Sequence, residues 1–123
     1  MKYNKLTIII FLFSIIISNN AQDVYIQGGG TLMDWAHLKK FEKDNERLKK
    51  INDPKRVVFM GNSITEFWSS YSDFFKSNKN YINRGISGQT SPQMLLRFRQ
   101  DVINLTPKLV VILSGINDIA ENT

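Results

Sequence analysis

The side chains that could carry chemistry follow two apolar runs of the sequence. Ser63 comes shortly after the run 57–60, and Asn117 comes shortly after the run 110–113. In an open parallel sheet the carboxyl ends of the strands face one crevice, so a hydroxyl and a carboxamide distant in sequence could meet there. A hydroxyl close to neutral hydrogen-bond donors is suited to attack on an acyl group.

An acyl attack also needs particular elements around the nucleophile. A strand-to-helix turn would expose Ser63, with Gly61 relaxing the backbone and the helix amino end favouring developing negative charge. The tetrahedral intermediate needs donors aimed at its oxyanion, each worth about 3 kcal/mol of transition-state stabilisation. The backbone N–H of Gly88, the side chain of Asn117 and the N–H of Ser63 itself are the candidates.

The surrounding sequence alternates between strand and helix patterns. Apolar spacing predicts a helix from Thr31 to about Ile51, and β-branched or aromatic runs predict strands at 56–60, 81–83 and 108–113. A helical turn is expected at 64–68, and Ser91-Pro92 is typical of a helix start. Together these patterns predict an α/β layered architecture with a parallel sheet.

The helix after Ser91 has a predicted buried face and a predicted solvated face. The buried face would be formed by apolar residues at helical spacing, namely Met94, Leu95, Phe98, Val102 and Leu105. The charged residues of this stretch, Arg97, Arg99 and Asp101, are expected to stay in solvent.

The amino terminus indicates export. Lys2 and Lys5 precede the apolar run 6–17 and the polar stretch 18–21, which is typical of a secretory signal peptide over residues 1–21. The run is shorter than the roughly 20 residues that span a bilayer, so no stable membrane insertion is expected after cleavage. The predicted location is periplasmic or extracellular. Residues 22–30 read as a flexible lead-in, and 31–123 as one domain.

The composition argues against several other classes of protein. The net charge of +5 falls to +3 once the signal peptide is removed, and the remaining lysines alternate with acidic residues, as on a solvated helix face. Nucleic-acid binding is therefore not expected. The chain contains no cysteine, which excludes disulfides, thiolate metal sites and lipid attachment through cysteine. The sequence implies no metal site and no organic cofactor.

Three short blocks resemble those of the SGNH hydrolases, also called GDSL-type lipases and acylhydrolases. The blocks are 61–64, 83–90 and 115–118, and the resemblance covers residues 32–123. It implies a three-layer flavodoxin-like sandwich, incomplete because carboxyl-terminal strands and helices are lacking, and hydrolysis of acyl or acetyl esters of small molecules or carbohydrates. It also implies that Ser63 is acylated, with oxyanion donors at Ser63, Gly88 and Asn117.

The sequence departs from the family pattern at two places. Asn62 stands where the family usually has aspartate, and at most a reduced activity is expected because asparagine can still hydrogen-bond the turn. The family's late Asp-x-x-His block, which supplies the base, has no counterpart, so the chain resembles the amino-terminal part of the enzyme. Asp118 is expected to support its loop rather than act as base. His37, the single histidine, is expected to be a surface or partly packed residue.

Two hypotheses about function remain open from the sequence. One is an exported serine esterase that is truncated and inactive or weakly active as given. The other is a non-catalytic exported module that binds a carbohydrate or an ester. A nucleotide or phosphate site at the helix after Ser63 is disfavoured, because the glycine spacing and basic residue of such sites are missing.

Overall fold

The computed structural model describes residues 33–120. The predicted signal peptide at 1–21 and lead-in at 22–30 lie outside the described residues. The strands are β1 Val57–Gly61, β2 Tyr81–Gly85 and β3 Leu109–Leu113. The helices are α1 Glu42–Lys49, α2 Ser63–Tyr71, α3 Phe74–Ser77, α4 Ser91–Asp101 and α5 Ile116–Ile119, with a 3-10 turn at Ile103–Leu105.

The three strands form one parallel sheet in the order β2-β1-β3. Gly61, the last residue of β1, is aligned with Gly85 of β2 and Leu113 of β3. The carboxyl ends of all three strands therefore lie at one level, and the three predicted blocks leave the sheet side by side. This strand order begins the flavodoxin-like series, in which two further strands follow. The predicted α/β class, with only part of that fold present, is confirmed.

Helices cover β1 on both faces, because its side chains alternate between two clusters. Val58 and Met60 are fully buried on one face. Their cluster includes residues from α1, from α4 and from the turn after α4, namely Leu48, Met94, Val102 and Leu105. On the opposite face Phe59 makes ring contacts with Trp68, Phe74, Phe75 and Tyr81 at centroid separations of 5.2–5.9 Å. These two layers hold the central strand that leads to Ser63.

The predicted helix from Thr31 is wrong for its first half. Residues 33–41 form turns, and α1 begins only at Glu42. The side chain of Asp34 accepts hydrogen bonds that a helix would direct to backbone carbonyls. Its carboxylate accepts from the N–H groups of Leu38 and Lys39 at 2.6 and 3.1 Å. His37 has a φ of 55°, which interrupts a right-handed helix. Segment 33–41 is therefore not helical, and its backbone contacts the second block.

The helix α4 and the turn after it bury most of the predicted apolar face, since Met94, Val102 and Leu105 belong to the core and Phe98 packs against it, but the prediction was wrong for three residues. Leu95 is 74% exposed, whereas Arg97 and Asp101 are fully buried. Arg97 is buried because it contacts the ends of β1 and β2, as described below, and Asp101 is buried beside it as its ion-pair partner. Only Arg99 stays in solvent as expected.

Candidate active site

Ser63 is the first residue of α2 and follows directly from the end of β1. Asn62 is the N-cap residue, and its side-chain oxygen accepts from the N–H of Ile64 at 3.0 Å. The N–H of a first helical residue has no acceptor within its own helix, so the N–H of Ser63 points out of the helix end. Asn62 is fully buried while Ser63 is half-buried. The turn therefore hides its cap and leaves the serine within reach of solvent.

Two glycines at the ends of β1 and β2 allow the first turn of α2 to pack closely against the strands. A Cβ on Gly61 would lie 2.1 Å from Oγ1 of Thr65, and a Cβ on Gly85 would lie 2.1 Å from the N of Glu66. No other residue fits at such distances. Asn83 adds to this contact, because its side-chain amide donates to the carbonyl of Thr65 at 2.6 Å. The first and second blocks are thereby packed directly on each other.

The second block turns at Gly88, which has a φ of 74°. Glycine adopts this left-handed region without steric cost. On one side, Ser87 donates from its N–H and its Oγ to the Glu66 carboxylate at 2.6 and 2.5 Å. On the other side, the carbonyl of Gln89 accepts from the Asn117 side chain at 2.9 Å. Among residues 33–120 the N–H of Gly88, which lies between these anchors, donates to no acceptor.

The third block places Asn117 in the short helix α5, after Gly115 with a φ of 106°. A side-chain amide carries two N–H donors, and the contact with Gln89 uses one of them. Asp118, the next residue, binds a different element. Its carboxylate accepts from the N–H of Ser91 at 3.0 and 3.1 Å and from the Ser91 Oγ at 3.2 Å. Asp118 thus holds the amino end of α4, and its oxygens are occupied there.

Known proteins match this arrangement over part of the chain. A profile of the GDSL-like lipase/acylhydrolase family matches residues 59–123. The chain belongs to this family. The resemblance deduced from the three blocks is therefore confirmed.

Solved acylhydrolase structures are similar to this chain. A candidate acylhydrolase from Bacteroides fragilis NCTC 9343 is 60% identical with a TM-score of 0.66, and the match covers 73% of this chain and 44% of that protein. A GDSL-like lipase from Bacteroides thetaiotaomicron VPI-5482 is 58% identical with a TM-score of 0.63, covering 72% and 43% respectively. The uncharacterized lipoprotein YqeF of Bacillus subtilis (strain 168) is 42% identical over 45 residues, which are 37% of this chain and 18% of the relative. The chain therefore spans less than half the length of these three relatives.

A buried arginine, Arg97, connects the first and second blocks, although its charge led us to expect it in the solvent. The Arg97 guanidinium donates to the carbonyls of Gly61 and Arg84 at 3.3 and 2.9 Å, at the ends of β1 and β2. It also donates to Gln89 Oε1 at 2.5 Å and to Asp101 Oδ2 at 3.0 Å. Burial lowers the pKa of Arg97, and the hydrogen bond and charge of Asp101 oppose that shift. The spacing of Arg97 and Asp101, four residues apart on a helix, was the available sequence signal.

Segment 33–41 lies against the second block and against α4. The side-chain amides of three glutamines donate to its backbone carbonyls: Gln93 to Trp35 and Gln89 to Ala36, both at 2.8 Å, and Gln100 to Leu38 at 2.5 Å. His37 is half-buried, as the sequence predicted, and its Nε2 has no hydrogen-bond partner among residues 33–120.

The pKa of His37 is lowered by burial and by the positive charges of Lys40 and Arg97, while Asp34 and Glu66 oppose the shift. A protonated His37 is therefore less favourable in the folded chain than in the unfolded chain. We expect the free energy of unfolding to decrease as the pH falls below about 6.5, until the lowered pKa is passed. Denaturant titrations at pH 7.5 and 5.5 measure this. Because the chain has one histidine, His37→Gln should flatten the pH dependence in that interval, and an unchanged slope would contradict the assignment.

Residues 33–120 were also compared with the requirements of a metal site and of a membrane-spanning helix. Residues 33–120 hold no group of three or more histidine, cysteine, aspartate or glutamate side chains arranged to bind a metal ion. Over the same residues, every helix is too short or too polar to cross a bilayer.

Proposed function

We propose that this chain is part of an exported serine ester hydrolase in which Ser63 forms an acyl-enzyme. The observation that supports it best is the state of the Gly88 N–H. It donates to no described residue although Ser87 and Gln89, on either side, are both held. A free backbone donor in a fixed loop, beside the strand that leads to a helix-starting serine, is what an oxyanion site requires.

The proposed reaction begins with attack of Ser63 Oγ on the ester carbonyl carbon. The carbonyl oxygen becomes negatively charged and accepts from the N–H groups of Ser63 and Gly88 and from the second side-chain N–H of Asn117. The carbon–oxygen bond to the alcohol then breaks, and the alcohol leaves with a proton. Water attacks the acyl-serine in turn, so the acid is released and the Ser63 hydroxyl is restored.

The proton acceptor for Ser63 is proposed to come from the part of the acylhydrolase fold that the match to this chain does not cover. The two polar residues that accompany Ser63 and Asn117 in their blocks do not supply the base. Asp118 binds Ser91, and Asn62 is a neutral cap where the family usually has aspartate. On this proposal the chain by itself is inactive or weakly active, since loss of a triad member leaves only residual catalysis.

The proposed substrates are acyl or acetyl esters of small molecules or carbohydrates, met outside the cytoplasm. Support for export comes from the apolar run 6–17 after Lys2 and Lys5, and from the lipoprotein among the relatives. The relative is named a lipoprotein, whereas these 123 residues contain no cysteine to carry a lipid.

Covalent labelling in the presence of the carboxyl-terminal part of the Bacteroides fragilis relative, which would supply the base, tests the proposal, because a fluorophosphonate reacts with an activated serine through a tetrahedral phosphorus that uses the same donors. We expect the peptide containing Ser63 to gain the phosphonyl mass faster than any other serine peptide, and Ser63→Ala to lose that label. Ser70, exposed on the same helix, is the control, and Ser70→Ala should be labelled at the wild-type rate. Equal labelling of Ser63 and Ser70 would count against an esterase and favour an ester-binding module.

A further inference from the structure

Glu66 connects the helix that begins at Ser63 with the loop that contains Gly88. It lies three residues after Ser63, about one helical turn along α2. Its Oε2 accepts from both the N–H and the Oγ of Ser87, and its Oε1 forms an ion pair with Lys40 of segment 33–41. One carboxylate on α2 thus binds two other parts of the site, the second block and segment 33–41.

The position of Ser87 gives this contact a consequence for Gly88. The peptide that joins Ser87 to Gly88 carries the Gly88 N–H, and the left-handed φ of Gly88 turns the chain immediately afterwards. With Glu66 binding Ser87 on one side and Asn117 binding Gln89 on the other, little rotation of that peptide remains possible. The direction of the Gly88 N–H relative to α2 therefore depends on Glu66.

We propose that Glu66 is a positioning residue that fixes the Gly88 N–H relative to Ser63, an inference that rests on the proposed ester hydrolysis. A carboxylate is suited to this role because it accepts without donating. Glutamine would direct one amide oxygen and one amide nitrogen at the same partners, so its NH₂ would face either Ser87 donors or the Lys40 ammonium. Aspartate is shorter by one methylene and would not reach from the same helix position.

The first measurement is amide hydrogen exchange by NMR of the full chain in complex with the carboxyl-terminal part of the Bacteroides fragilis relative, comparing the wild type with Glu66→Gln and Glu66→Ala. A hydrogen bond to a charged group is worth roughly a 10- to 100-fold change in an opening equilibrium. We expect the Ser87 N–H to exchange about 10- to 100-fold faster in Glu66→Ala, and the Gly88 N–H resonance to shift. The buried Met60 N–H of β1 is the internal reference for global opening.

The matched control is Glu46→Gln, which removes the same charge from an exposed ion pair with Lys49 on α1. Its exchange rates at Ser87 and Met60 should equal those of the wild type. If exchange of the Met60 N–H is also faster in Glu66→Ala, the substitution has destabilised the whole fold. The comparison then uses Glu66→Gln, which keeps the side-chain length. Unchanged Ser87 exchange in Glu66→Gln, with Met60 intact, would overturn the proposal.

The second measurement is the rate of fluorophosphonate labelling at Ser63 in the same complex, which separates positioning from mere stabilisation. We expect Glu66→Gln to lower that rate at least about 10-fold while Glu46→Gln leaves it unchanged, because a misplaced oxyanion donor costs transition-state binding. Faster Ser87 exchange with an unchanged labelling rate would overturn the positioning role. Failure of the proposed function has a different signature: Ser63 would not be labelled selectively even in the wild type, whatever the exchange rates.

Discussion

Ester hydrolysis by this chain should rise by about 10⁴-fold when the carboxyl-terminal part of the Bacteroides fragilis relative is added, if that part supplies the base. The match covers 44% of that relative, so more than half of its chain lies outside the match. In the flavodoxin-like order the next strand pairs with β3. That edge of the described sheet is open to such pairing, and Ile112 and Leu109 of β3 are 57% and 56% exposed.

The added part would also bury apolar surface on both faces of β3. One groove beside the strand is lined by Met94, Phe98 and Ile112, and another on the opposite face by Trp68, Val111 and Leu113. An apolar edge strand of this kind is a template for association with other chains. We therefore expect residues 22–123 alone to be partly unfolded or oligomeric, and the complex to be better ordered.

The experiment mixes the separately purified parts and measures hydrolysis of a chromogenic acetyl ester. The same mixture containing Ser63→Ala should remain at the background rate, and the carboxyl-terminal part alone should also be inactive. Size-exclusion chromatography shows whether the parts associate. A stable complex without any gain in hydrolysis would contradict the assignment of Ser63 as nucleophile.

Arg97→Met should lower the free energy of unfolding by about 3–5 kcal/mol, the second large effect that the structure implies. The substitution leaves the fully buried Asp101 carboxylate without its cationic partner. It also removes the donor to the carbonyls of Gly61 and Arg84, at the ends of β1 and β2. Urea titration followed by circular dichroism, in the complex described above, measures the loss.

Arg99→Met is the matched control, because Arg99 is exposed two residues further along the same helix. Exposed substitutions of this kind usually change stability by less than about 0.5 kcal/mol. The double variant Arg97→Met with Asp101→Asn should recover part of the loss, since it removes both charges and keeps an oxygen for the Asn45 amide. Equal small losses for Arg97→Met and Arg99→Met would show that the buried pair is not needed.

Local patterns were enough to predict the elements that carry the blocks. The run 57–60 is β-branched and apolar because β1 is central and covered on both faces, and the Gly-Asn-Ser turn ends it where α2 begins. The helix start near Ser91 was also correct to within one residue, with Thr90 rather than Ser91 as the N-cap. These features depend on residues close in sequence, which is why one sequence sufficed.

Long-range contacts explain what the sequence could not predict. The burial of Arg97 depends on carbonyls of residues 61 and 84, and the path of segment 33–41 depends on glutamine amides from residues 89–100. Both involve partners more than ten residues away, which local periodicity does not register. The roles of Ser63, Gly88 and Asn117 remain predictions, since they concern chemistry rather than position.

The two close approaches at Gly61 and Gly85 set a limit on how the helix that begins at Ser63 can evolve. Since a single methyl group at either position would overlap Thr65 or the backbone of Glu66, any larger side chain there would have to raise the start of α2 away from the sheet. Ser63 would move away from the sheet together with α2, and its distance from the loop that contains Gly88 would increase. The depth of the serine is therefore governed by two residues that have no side chain at all.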